Sequence, residues 1–324
     1  MEACLRRTVI DRPPVALWRH FPVDDQSPVS LAEAHIAYQG LYDFDLLKVT
    51  PASSFSVRDW GVEDVWEGSP EGTRTYTKRA IGKPGDWLGL PVLDPDSGYL
   101  AQQLECLALI RERLGQEIPV LQTVFSPLAQ AKHLAGEETL LGQLRENADA
   151  VMRGLETIGE STRLFIQAAS GKGIDGIFYA VQHAQSRLLT REEFMRFSRG
   201  ADLAALQSAA GLWCNVLHVH GENIFFDAIS DYQAQIVNWH DRDTGPDLHK
   251  ASRTWPGALC GGLRMNTLVY GTADEVSREA REAFAVADAG RLILSTGCVV
   301  PIIAPHGNIR AARHAADSSS TGTH

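Results

Sequence analysis

The feature that most constrains this chain is an alternation, repeated eight times, of short apolar or β-branched runs with mostly helical connections. The runs lie near residues 15, 46, 122, 177, 216, 237, 260 and 293. Helical pattern fills 31–42, 99–114, 128–134, 137–170, 190–211 and 273–288 between them. Ser30 with Glu33, Thr190 with Glu193 and Thr272 with Glu275 have the spacing of capping boxes, and Gly115 and Gly290 stand where helices stop. Strands joined by crossover helices pair in parallel. Eight such units in 324 residues favour an α/β fold closed as an (α/β)8 TIM-type barrel over an open sheet.

Residues 60–98 depart from this rhythm. Turn formers are dense there (Gly61, Gly68, Pro70, Gly72, Pro84, Gly85, Pro91, Pro95), and the run from Thr73 to Ile81 alternates as a strand does. The stretch reads as a β-hairpin insertion, either covering a site or ornamenting the surface. With no linker and no internal repeat, residues 1–316 read as one domain. The small polar tail 317–324 is expected to be disordered.

A formal charge of −10 leaves no basic excess for a general nucleic-acid binder. The five cysteines form no C-x-x-C pair and no secretory framework, which fits free thiols in a reducing cytoplasm. No apolar run has signal-peptide or membrane-span length, so a cytoplasmic protein without a membrane partner is expected.

In parallel barrels the active site lies at the C-terminal ends of the strands. Here those ends are polar one after another: Arg19 and His20, Lys48 and Thr50, Ser126, Gln182 and His183, His218 and His220, Asn238, His240 and Asp241, and Cys298. Side chains two apart on a strand share a face, so His218 and His220 project together, about 7 Å apart along the chain. Two imidazoles and a thiol suit zinc, and three protein ligands with an open position define a catalytic zinc site. His218, His220 and Cys298 are the candidate ligands. His240 and Asp241 are candidates for acid/base work, and Arg19, His20, Gln182, His183 and Asn238 for contacts with a small-molecule substrate. Plainer readings stand beside these. Each histidine taken singly is an ordinary core histidine, Cys298 a small buried hydrophobe, Asp241-Arg242-Asp243 a solvated turn, and the tryptophans at 18, 213 and 239 packing.

An ordered series of blocks resembles the uroporphyrinogen decarboxylase superfamily, which includes cobalamin-linked methyltransferases acting on coenzyme thiols. The blocks are Arg12-Pro13-Pro14-Val15 with Trp18-Arg19, then Ile174-Asp175-Gly176-Ile177 followed by Leu189 to Phe194. Next come Leu217-His218-Val219-His220-Gly221, Gly271 to Val276, Gly297-Cys298-Val299-Val300-Pro301, and Pro305 to Ile309. The resemblance implies an (α/β)8 barrel. From the methyltransferase branch it implies a zinc site built on H-x-C plus a distal G-C, a corrinoid-carrying partner protein, and a homodimer as the common assembly. This chain carries His220 where that branch has cysteine. The decarboxylase branch uses a carboxylate in the second strand region and several arginines. Here Leu47-Lys48-Val49-Thr50-Pro51 has no carboxylate, and only Arg19 matches an arginine. The expected activity is therefore metal-dependent methyl or one-carbon transfer. Cofactor-free decarboxylation of a tetrapyrrole or small carboxylate is the alternative, and a non-catalytic ligand- or metal-binding barrel the third reading.

Overall fold

The computed structural model describes residues 1–287 and 289–317. Among the described residues there are nine strands: β1 (Leu47–Val49), β2 (Glu63–Val65), β3 (Thr75–Lys78), β4 (Val120–Phe125), β5 (Gly176–Val181), β6 (Val216–Val219), β7 (Ile236–Trp239), β8 (Ala258–Leu263) and β9 (Leu292–Thr296). Seven of them pair in parallel in the order β1-β4-β5-β6-β7-β8-β9. The run expected near residue 15 makes only a single bridge, Val15 with Leu294, for a simple reason. Pro13 and Pro14 have no N–H to offer a ladder. The segment nonetheless joins both edges of the sheet. Ala16 N donates to Leu294 O (3.0 Å), Leu294 N to Pro14 O (2.8 Å), and Asp45 N to Val15 O (2.9 Å), which closes the curled sheet into a ring.

Each of the eight segments turns at least one residue into a shared interior cluster, among them Ala16, Leu46, Leu121, Phe178, Val216, Ile236, Ala258 and Ile293. Residues of opposite parity, such as Val49, Val120, Ile177, Leu217 and Val237, pack outward against the helices. Strands apolar on both faces are what a parallel sheet with covered faces requires. Two expected helices prove to be pairs. The stretch 137–170 breaks at Asn147, between Glu137–Glu146 and Ala148–Ser170, and 190–211 breaks at Ser198. The first long helix starts earlier than the expected Ser30: it spans Pro28–Tyr42, with Pro28 in the first turn and Ser27 as the cap whose side chain accepts from Ser30 N. Both Thr190 and Thr272 cap through reciprocal bonds with Glu193 and Glu275. Of the tail, Asp317 is held by Arg313 and by Arg12; residues 318–324 lie outside the described residues. Among the described residues no helix is long and apolar enough to cross a membrane.

The insertion contains the antiparallel pair β2–β3. Arg74 on its turn reaches Asp64 (2.8 Å) within the pair and Asp25 (3.1 Å) outside it, which fastens the hairpin over the barrel. A second anchor follows. Trp87 is buried, donates Nε1 to Gln143 Oε1 at 2.5 Å, and lies so close to Gly154 that an added Cβ would meet its ring at 2.5 Å. Trp87→Ala is expected to cost about 3–5 kcal/mol in denaturant unfolding, the usual range for emptying a buried aromatic site. A loss below about 1 kcal/mol would mean that the insertion does not depend on this contact.

Candidate metal centre

Stepping two residues toward the C-terminal end of each segment moves from the apolar floor to the mouth. Trp18, Lys48, Thr123, Ala180 and His218 come first, then His20, Thr50, Phe125, Gln182 and His220. All of these line one inner cavity of about 480 Å3. The sheet alternation therefore decides which strand-end residues reach the site. His20, Gln182, His218, His220, Asn238 and His240 have the inward parity. Arg19, His183 and Asp241 have the other, and none of these three lines the cavity.

The inward set is brought together closely. Ligand atoms of His218, His220 and Cys298 all lie within 4.8 Å of one another, with Cys298 Sγ 3.9 Å from His220 Nδ1. A tetrahedral zinc with bonds of about 2.0–2.3 Å would hold its donors roughly 3.3–3.8 Å apart, so a small closure suffices. The triad is the group of this kind found among the described residues. Cys298 reaches it through Gly297, where an added Cβ would strike the His240 backbone at 2.5 Å. Gly221, at φ +110°, lets the chain turn out of β6 beside Gln185.

The orientation of His218 is fixed from behind. Asn238 is its register partner across β6 and β7. Its Nδ2 donates to the carbonyls of Cys260 and Thr296, both at 2.9 Å, so its Oδ1 faces His218 Nδ1 at 2.7 Å. That carbonyl oxygen makes Nδ1 the protonated nitrogen and leaves Nε2 with a free lone pair. Phe178 stacks on the same ring, with centroids 5.1 Å apart. Burial holds His218 well below the usual imidazole range, with His220 and His240 adding to the effect. It takes His220 to about 3 and raises the Cys298 thiol. Neutral imidazoles with available lone pairs are what a zinc ion takes, and metal binding would release the thiol proton. The donor set fits the ion.

Lys48 was legible as a strand-end residue but not singled out, and it stands at the floor of the cavity. It is buried, with Nζ 4.5 Å from the Phe178 ring centroid and 5.8 Å from that of Trp18. Burial lowers its ammonium to about 7. Lys132 comes from the helix Pro127–Ala135 and donates to Gln182 Oε1 at 2.5 Å. Tyr76 and Arg79 arrive from the hairpin. No periodicity of the strands announces these three, because none sits on a barrel strand. His240 lies in an outer, more open cavity of about 470 Å3, with Nε2 3.3 Å from His220 Nδ1.

The remaining expected site residues are placed elsewhere. Arg19 lays its guanidinium against Phe21 and Tyr38, 5.1 and 5.3 Å from the ring centroids. His183 is fully buried 3.7 Å from Glu137. Asn238, proposed for substrate contact, is sealed behind His218. Asp241 turns out of the barrel and accepts Gly262 N at 3.1 and 3.2 Å, so its work is to tie β7 to β8. Trp18, expected to be packing alone, also walls the cavity.

Two measurements follow from these placements. Asn238→Ala is expected to weaken zinc binding about 10–100-fold through loss of the His218 orientation, read by competition with a chelator dye. Unchanged affinity would show that Asn238 does not set the ring. Burial also raises the Asp241 carboxyl to about 7. The folded protein then keeps a proton that the unfolded chain releases, so this group's contribution to stability falls as pH climbs from about 4 to about 7. Asp241→Asn should flatten that fall in urea midpoints. Parallel pH curves for the two proteins would mean that the carboxyl is ionised throughout.

Comparisons with known proteins place this geometry in a family. The family model for uroporphyrinogen decarboxylase (URO-D) matches residues 1–319. The chain is 24% identical over 218 residues to a methylcobamide:CoM methyltransferase, MtbA, of Methanosarcina mazei. That match covers 66% of this chain and 62% of the relative, less than two thirds of the relative's length. A Methanosarcina acetivorans MtbA is 22% identical over 298 residues, 91% of this chain and 85% of the relative. Among solved structures, a methyltransferase from Methanosarcina mazei superposes with a TM-score of 0.86 at 20% identity, covering 98% of this chain and 97% of that one. A B12-independent methionine synthase from a Shewanella species gives 0.64 at 13% identity, covering 94% and 92%. These structural likenesses speak for the barrel fold, and both are TIM-type proteins. With the family match running from the closing segment at residue 15 through the last helix, this chain belongs to the uroporphyrinogen decarboxylase family.

Proposed function

We propose that this protein is an enzyme that transfers a methyl or similar one-carbon group to a small acceptor in the inner cavity, with zinc held by His218, His220 and Cys298. The observation that carries the reading is the convergence of those three donor atoms within 4.8 Å at the mouth of the barrel. The likeness to methylcobamide:CoM methyltransferases supports it, and by that likeness the donor would be a methylated corrinoid, delivered by a partner protein. Zinc bound there would act as a Lewis acid that lowers the pKa of an acceptor thiol.

The chain's own residues divide the remaining work. Asn238 holds the His218 tautomer, and Phe178 keeps its ring from turning. His240 lines the outer cavity with Nε2 3.3 Å from His220 Nδ1, so a proton leaving an acceptor in the inner cavity would reach it by way of His220. Trp18, Phe125 and Phe178 give the inner cavity apolar walls, and the hairpin residues Thr73 and Tyr76 cover it from solvent. The decarboxylase alternative needed Arg19 to grip an acid, and Arg19 lies outside the cavity.

Protein purified without chelators is expected to carry about one zinc per chain. His218→Ala and Cys298→Ala should each lose it, together with methyl transfer from methylcobalamin to small thiols. Full zinc content in both variants would sink the reading. His240→Ala should keep its zinc and lower turnover about 10²–10⁴-fold, the range for a lost acid/base group.

A further inference from the structure

A group of polar side chains outside both cavities lacks partners. Arg19 lies against the rings of Phe21 and Tyr38 with Nε buried and unbonded, and among the described residues no carboxylate pairs with it. Tyr38, on the helix Pro28–Tyr42, is 8% exposed, and its hydroxyl is likewise buried without a partner. One turn on, Tyr42 packs its ring against Tyr38, centroids 4.9 Å apart, and its hydroxyl bonds His306 Nδ1. His306 opens the helix His306–Ala315, whose first turn has no side-chain cap. Arg310, one turn into that helix, is exposed and forms no ion pair among the described residues. The charges of Arg19 and Arg310 both act on the Tyr42 phenol, and that of Arg19 acts on Tyr38 as well.

Two guanidinium groups, a buried hydroxyl and an uncapped helix start thus gather where these two helices meet. Nearby carboxylates are committed elsewhere, Asp43 to Arg313 at 2.9 Å and Asp45 to Arg12 at 2.7 Å. In a chain of net charge −10, a shortage of acids does not explain two unpaired arginines at one spot. Burial pushes the Tyr38 phenol well above its usual range, so it stays a donor, and a buried donor without an acceptor is costly. An oxyanion would satisfy the whole group. Guanidinium forks match its oxygens, and the free N–H groups of a helix start favour its charge.

We infer that this junction binds a phosphate-type oxyanion, held by Arg19, the Tyr38 hydroxyl and the first amides of the helix His306–Ala315, with Arg310 supplying further charge. A doubly charged head group is favoured over a carboxylate because it meets three positive sources at once. The site shares no residue with the triad. Strand parity turns Arg19 to the side opposite Trp18 and His20, which line the inner cavity. It needs no metal and stands apart from the methyl-transfer reading.

The test is calorimetric titration of the full chain with inorganic phosphate, glycerol 3-phosphate and acetate at fixed ionic strength. Phosphate should bind about tenfold or more tighter than acetate, and its affinity relative to glycerol 3-phosphate distinguishes a bare ion from a monoester. Arg19→Gln should weaken phosphate binding about tenfold or more, the scale of a hydrogen bond to a charged group. Arg310→Gln, at an exposed position, serves should Arg19→Gln fail to fold, and should weaken it about twofold to fivefold. Tyr38→Phe adds a readout that a merely structural tyrosine would not give. It should weaken phosphate about tenfold, yet leave the urea midpoint in phosphate-free buffer unchanged or raised, since the lost hydroxyl has no partner there. His218→Ala should bind phosphate as the wild type does. The inference is overturned by absent phosphate binding, by equal affinity for acetate, or by phosphate affinity that survives Arg19→Gln or Tyr38→Phe. A lowered midpoint for Tyr38→Phe without phosphate overturns it as well, as does loss of binding in His218→Ala, which would place the ion on a metal.

Discussion

The site depends on one amide. Asn238 bonds the backbone of the two strands that follow its own in the sheet, through Cys260 O on β8 and Thr296 O at the end of β9, and offers what remains, a carbonyl oxygen, to His218 on β6 at its other side. Four strands are thereby locked in relative position by a single buried side chain. An amide with both N–H groups committed cannot rotate to offer a donor instead without leaving two carbonyls unpaired. That would cost about 1–3 kcal/mol for each buried group. The protonation pattern of His218 is thus set by sheet geometry and not by solvent, and the closed ring is part of the chemistry.

The same closure sorts the interior by height. Toward the N-terminal end the cluster is wholly apolar or thiol, with Cys4, Cys214 and Cys260 among Leu121, Val216 and Ile236. Burial pushes Cys214 and Cys260 far above the usual thiol range and leaves them as small hydrophobes. One step higher the residues become Lys48, Thr123, His218 and Asn238. Polar groups are confined to the end that opens to solvent, where the crossover helices begin and loops can vary without disturbing the floor.

Strand periodicity made much of this readable in advance. The i, i+2 spacing placed His218 and His220 on one face, and the eight-fold alternation gave the barrel. The same rule, carried to every strand end, separates His20, Lys48, Gln182 and His240 from Arg19, His183 and Asp241. Each pair of neighbours such as His240 and Asp241 has one member inside and one outside. The parity sets Lys48 at the cavity floor and turns Asp241 toward Gly262. Other parts were illegible for physical reasons. Prolines at 13 and 14 remove two donors from the closing segment and leave Ala16 N to bond Leu294 O, so no run of ladder positions marks it as a strand. Arg79 and Tyr76 reach the cavity because Arg74 fastens the hairpin to Asp25, 49 residues earlier in the chain, a contact that no local pattern encodes.

The histidine at position 220 would change more than the ligand list of a metal held there. A thiolate there would make a zinc site of two thiolates and one imidazole, electrically neutral. Imidazole would leave a bound metal more electrophilic, and it sets His220 Nδ1 3.3 Å from His240 Nε2. Those two nitrogens share one proton or compete for one ion; they cannot both be lone-pair donors to each other. The carboxylate that might have competed for the metal, Asp241, is carried outward by the alternation of β7 and is held there by Gly262. A single residue of phase along one strand thus keeps a hard anion away from a soft donor set.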